Sequence, residues 1–146
     1  MHRQTYLGVR SAVVAGALAI MVAVALLGGA ASASTSAVPG KMAGCWQRHV
    51  PTLPVGTPAG VWLMKITPAG KLVAYAPGMT SCGAYSDFTA TVSVAGSRLT
   101  IGPLPLCATK GVYTWRAGAS TLTLRATADK RCSARALLFT GVWRRK

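Results

Sequence analysis

Three stretches of the chain repeat one plan: WLMKITPAGKLVAY from Trp62, TATVSVAGSRLTIG from Thr89, and VYTWRAGASTLTLR from Val112. Each has an apolar residue at every second position, a turn containing glycine, and a return led by leucine. Alternation of period two puts successive side chains on opposite faces of a strand, so each stretch predicts an antiparallel hairpin with one buried face. The third is the clearest. Tyr113 and Trp115 share one side of its first strand, and Leu122, Leu124 and Ala126 share one side of its second. A turn over Ala117–Ser120 sets Trp115 opposite Leu122 and Tyr113 opposite Leu124, so register and alternation agree. In the middle hairpin Leu99 and Ile101 are expected to face Val94 and Val92. In the first, Tyr75 and Val73 are expected to meet Trp62 and Met64.

Two further strands complete the set. One opens at Gly44-Cys45-Trp46 and runs to about Val50. The other is predicted over Ala136–Trp143, with Leu137, Phe139, Gly141 and Trp143 on one face. No stretch shows a sustained helical period. Eight antiparallel strands joined as successive hairpins predict an all-β, up-and-down barrel, which leaves no exposed edge; a two-sheet sandwich is the alternative. An eight-stranded barrel is just wide enough to be filled by its own side chains or to hold one small ligand.

The segment before the barrel reads as an export signal. Arg3 and Arg10 precede a nearly continuous apolar run from Ser11 to Ala30, and Ala31-Ser32-Ala33 is an A-x-A cleavage site. This divides the chain into a signal peptide (1–33), a linker (34–43) with nothing to pack, and the barrel domain (44–146). The mature protein is expected to start at Ser34 and to be secreted. An uncleaved membrane anchor is the competing reading, because the run approaches spanning length. Met42-Ala43-Gly44-Cys45 looks like a lipoprotein box, although it lies well beyond the apolar run. All four cysteines fall in the barrel domain. An even count in an exported chain predicts two disulfides, with three pairings open. Cys107 and Cys132 flank the open end of the third hairpin almost in register, whereas Cys82 and Cys107 fit the middle hairpin less well. Cys107–Cys132 with Cys45–Cys82 is therefore expected.

Composition narrows the function. Sixteen Lys and Arg stand against two acids, Asp87 and Asp129. Such a surface associates with polyanions: envelope polymers, anionic lipid or nucleic acid. The basic residues are scattered through the chain. A nucleic-acid platform needs aromatics interleaved with Lys and Arg on an exposed face; here the aromatics share faces with leucine, so no specific nucleic-acid partner is expected. Carboxylate-pair catalysis needs two acids at one bond, but Asp87 and Asp129 belong to different hairpins. Past the signal segment His49 is the one histidine, with no patterned partner, so a nucleophile activated by a base is not expected either. No C-x-x-C pair or phosphate-binding glycine loop occurs, and no metal or cofactor is expected.

The G-x-W start at Trp46, the meander of hairpins and the basic end of the last strand resemble the lipocalin-like, or calycin, group. G-x-Y-x-W from Gly111, D-x-x-C-x-x-R from Asp129 and G-x-W-x-R from Gly141 are similar to small exported bacterial members of that group, most without an assigned function. The resemblance implies that Trp46 packs under an arginine of the last strand, Arg144 or Arg145, a cation–π contact worth roughly 0.5–2 kcal/mol. On the residues themselves, Asp129 begins a connection, where it is placed to cap a helical turn, and Arg135 is placed to return to it as an ion pair; both are expected to be structural. The leading expectation is non-catalytic binding of a small, mostly apolar ligand, lined by Trp62, Met64, Tyr75, Phe88, Tyr113, Trp115 and Phe139. Tyr113 is placed near the mouth and Trp115 deeper. The alternatives are a structural or interaction protein using its basic exterior on anionic envelope polymer or a membrane surface, and an inhibitor of a secreted enzyme.

Overall fold

A computed structural model of the chain describes residues 37–51, 58–83, 85–105, 107–129 and 131–146. The expected signal peptide (1–33) and the first residues of the expected linker (34–36) lie outside these. Eight strands follow one another around a closed antiparallel barrel: β1 (Gly44–Val50), β2 (Gly60–Ile66), β3 (Lys71–Tyr75), β4 (Phe88–Ala95), β5 (Arg98–Ile101), β6 (Gly111–Ala117), β7 (Thr121–Ala128) and β8 (Gly141–Arg145). β8 closes the ring against β1, with Trp46 opposite Arg145 and Gln47 opposite Arg144. The expected meander is thus present. The inward residues, among them Trp46, Met64, Leu72, Val92, Leu99, Tyr113, Leu124 and Trp143, form one buried cluster.

The turns set the registers, and two of them differ from expectation. The middle hairpin is as expected, with Val94 opposite Leu99 and Val92 opposite Ile101. In the third, the turn is centred one residue later, because Gly118 N–H bonds to Thr121 C=O at 2.8 Å. Trp115 therefore faces Leu124 and Tyr113 faces Ala126, a slip of two that keeps Tyr113, Trp115, Leu122 and Leu124 on one face, and a register shift follows between Val112 and Tyr113. In the first hairpin the loop has three residues, Pro68–Gly70, ended by Gly70 at φ +78° in the left-handed region. The slip there is one residue. Tyr75 pairs with Leu63, and Met64 pairs with Ala74. Tyr75 thus stands on the opposite side of the sheet from Trp62 and Met64, and it is buried with Leu63 outside the barrel core.

The largest difference lies before β8. Residues Ser133–Phe139 form a short helix, α1, so the last strand begins only at Gly141. Arg135, Leu138 and Phe139 are its buried side, a spacing of three and four, while Leu137 is exposed. The residues before β1 also pack. Val38 and Met42 are buried in the core, and the Trp46 indole N–H donates to Met42 C=O at 2.9 Å. The described part of the expected linker thus belongs to the barrel, closing the end opposite α1. Both expected disulfides are present, Cys45–Cys82 and Cys107–Cys132. With its sulfur bonded to Cys82, Cys45 has no thiol to accept a lipid. Two disulfides fit an extracytoplasmic location. Among the described residues no helix is long and apolar enough to cross a membrane.

Candidate functional site

The interior is occupied by the chain's own aromatics. Phe139 enters from the end of α1 and meets three other rings: Phe88 edge-on at 6.2 Å between centroids, Tyr113 edge-on at 6.4 Å, and Trp143 tilted at 6.4 Å. Trp62 lies 6.4 Å from Phe88. Centroid separations of this size are ordinary packed aromatic contacts. Trp62, Met64, Tyr113 and Phe139 are buried, and Phe88 is half-buried against them. Of the seven predicted lining residues these five come together. Tyr75 points away, for the register reason above. Trp115 lies at the rim of the end opposite α1. Its indole N–H donates to Gly96 C=O at 2.9 Å, and the Lys41 amine stands 5.2 Å from its ring centre. The expected depths of Tyr113 and Trp115 are therefore reversed, because α1 covers the end at which Tyr113 sits.

Arg48 and Arg135 reach inward, Arg145 folds over one end of the barrel while remaining exposed, and each meets a glycine on the strand wall. At the end opposite α1 the Arg145 guanidinium lies 4.6 Å over the Trp46 ring, and its Nη2 donates to Lys41 C=O at 3.3 Å. Arg145, and not Arg144, is the partner of Trp46; Arg144 faces out beside Gln47 and Thr121. At the α1 end, Arg48 donates from Nη1 to Leu137 C=O at 3.1 Å and Leu138 C=O at 2.8 Å. These are last-turn carbonyls that the helix leaves without internal partners. A Cβ on Gly141 would come within 2.6 Å of Arg48 Nε, so only glycine leaves the guanidinium its place. Partial burial lowers the Arg48 pKa. The parity of Arg48 with Trp46 was the one sequence signal for this inward arginine.

The third is Arg135. It holds Asp129 by two parallel bonds, Nε to Oδ2 at 2.9 Å and Nη2 to Oδ1 at 2.6 Å, with both side chains shut off from solvent. Its Nη1 donates to Gly102 C=O at 3.3 Å and to Thr109 C=O. The Tyr113 hydroxyl donates to Asp129 Oδ2. The pair lies against Gly111, where a Cβ would come within 2.5 Å of Asp129 Oδ2. Asp129 does not cap α1. Its carboxylate is committed to Arg135 and Tyr113, and the N-cap is Cys132, whose sulfur is bonded to Cys107 and makes no capping bond. The bond to Asp129 raises the Arg135 pKa.

Burial, then the bond to Asp129, push the Tyr113 phenol well above its ordinary pKa of about 10. The folded protein therefore keeps a proton that the unfolded chain releases above pH ~10. Stability from this group is complete below that pH and falls as pH rises beyond it. Tyr113→Phe is expected to flatten the alkaline decline of the denaturant midpoint; an unchanged decline would show that other groups cause it.

The outer surface carries the remaining charge. Every described Lys and Arg other than Arg48 and Arg135 is exposed, while Asp129 is neutralised inside and Asp87 alone is exposed and acidic. His49 is exposed on β1, and among the described residues no three His, Cys, Asp or Glu gather as a metal site. Among the described residues two surface depressions are lined by a mixture of polar, charged and small side chains. One, of about 530 Å³, lies between Thr109, Lys110, Thr127 and Arg131; the other, of about 480 Å³, lies between Gly70, Lys71, Thr91 and Pro103. No predicted aromatic lines either. No protein-family model, curated protein or solved structure matches the chain.

Proposed function

We propose that this is an exported, non-catalytic barrel of the lipocalin-like type that works through its outer surface, holding anionic cell-envelope polymer. The eight-stranded meander and Trp46 beneath Arg145 support the lipocalin-like reading. The observation that carries the functional reading is the contrast between inside and outside. Of the aromatics expected to line a ligand space, Phe88 and Tyr113 instead pack on Phe139, and Trp62 packs on Phe88. The exterior combines many exposed cations with one exposed carboxylate, Asp87. An apolar ligand would need room among those rings, whereas a polyanion needs only the surface as it stands.

Two titrations test this. Binding of the protein to a sulfated or phosphorylated polymer is expected to be saturable, with log K falling linearly in log salt, as release of counterions requires. A neutral apolar fluorophore such as N-phenylnaphthylamine is expected to show no saturable uptake. Tight uptake of the fluorophore together with indifference to polyanions would return the function to the interior.

A further inference from the structure

The registers of β5 to β8 assemble a particular patch on that exterior. Arg98 on β5 is directly opposite Thr114 on β6, and Thr114 is directly opposite Arg125 on β7. Arg116 lies two residues along β6 from Thr114, on the same face, and pairs with Thr123. Thr114 is thus flanked by three arginines, all exposed. Strands roughly 4.8 Å apart and same-face residues roughly 6.8 Å apart put the three Cα atoms roughly 8–10 Å from one another. The face continues over Thr121 and Arg144 onto β8. It contains no acid, and among the described residues no ion pair joins any of these arginines. Three like charges gathered around one residue repel one another, so this cluster lacks the compensation a merely structural surface would carry.

We infer that the outer face of β5–β8, centred on Arg98, Arg116 and Arg125 around Thr114, is the docking surface for a linear phosphodiester polymer; this rests on the outer-surface reading above. Guanidinium forks and a threonine hydroxyl are donors only toward such a group. They approach from three sides, which suits a phosphodiester, whose two free oxygens on a tetrahedral centre offer lone pairs in several directions. A planar carboxylate is satisfied by one or two forks in its own plane. No exposed aromatic lies on this face, since Tyr113 and Trp115 belong to the inner parity of β6. The recognised feature is therefore the phosphate backbone and not a stacked base. Its exposed apolar residue is Val142, too little to insert into a bilayer.

The probe is an end-labelled poly(glycerol phosphate) chain, with poly-glutamate of equal charge and phosphatidylglycerol vesicles for comparison. Arg98→Gln/Arg116→Gln/Arg125→Gln is compared with Lys65→Gln/Lys71→Gln/Lys110→Gln, which removes the same charge elsewhere. The arginine variant is expected to bind the phosphate polymer at least roughly tenfold more weakly, with a salt slope smaller by about three. The lysine variant should change little. Replacing the three arginines by lysine keeps the charge and should abolish the preference for phosphate over carboxylate. Equal losses in the two glutamine variants would overturn the site while leaving outer-surface binding intact. Vesicle binding with the same dependence on the arginines would overturn the polymer assignment in favour of a membrane. A protein that binds none of the probes would overturn the outer-surface reading itself.

Discussion

Arg135→Met is expected to destabilise the protein by about 3–5 kcal/mol, the range for removing one partner of a buried ion pair. The loss comes from what stays behind. Asp129 would remain in a site closed to solvent with only the Tyr113 hydroxyl on its carboxylate, and Gly102 C=O and Thr109 C=O would lose their donor. Asp129→Leu/Arg135→Met removes both charges and is expected to cost less than Arg135→Met alone, because no unpaired charge remains. Urea unfolding with the disulfides intact measures both. An Arg135→Met loss below about 1 kcal/mol, the scale of an exposed pair, would mean that water reaches the carboxylate. The position explains the size. The pair joins α1 to the β5–β6 loop, and Cys107–Cys132 joins the same two segments covalently.

That network was legible in the sequence as a pair and illegible as a place. Asp129 and Arg135 are six residues apart in one connection, so an ion pair between them is a local statement. That the carboxylate faces Tyr113 depends on α1, whose apolar spacing covers less than two turns. Leu137, Phe139, Gly141 and Trp143 also alternate, so a strand of period two fits the same residues, and propensity over seven residues does not decide between them. Cys107–Cys132 was legible because it flanks a hairpin whose order is fixed by the chain, and Cys45–Cys82 followed as the remaining pair. Faces were more legible than registers, and only where the turn is even. The third hairpin slipped by two and kept its core. The first slipped by one at Gly70, and Tyr75 left the interior. Arg98, Arg116 and Arg125 are spread over the sequence and become neighbours only through the pairing of three strands, so scattered basic residues gave no sign of a patch.

Phe139→Ala decides between a filled barrel and a receptacle. Phe139 is fully buried and touches Phe88, Tyr113 and Trp143, so its removal is expected to cost about 3–5 kcal/mol, the transfer term plus the cavity left behind. The surrounding strands are held by a closed hydrogen-bonded ring, and β8 is fixed to β1 beside Trp46, so the walls have little freedom to collapse onto the space. A cavity lined by Phe88, Tyr113 and Trp143 would be apolar and dry, and such cavities take up small aromatic molecules. The variant is therefore expected to bind benzene, seen as a rise in its melting temperature, while the parent protein shows none. Trp115→Ala is the control. Trp115 sits half-buried at the far rim with its indole N–H on Gly96, so truncation there opens to solvent, costs less and creates no binding. The opposite pattern, uptake of benzene by the parent and loss of it in Phe139→Ala, would mean that the rings around Phe139 already surround a ligand space. The basic exterior would then be only the solvated outside of a carrier.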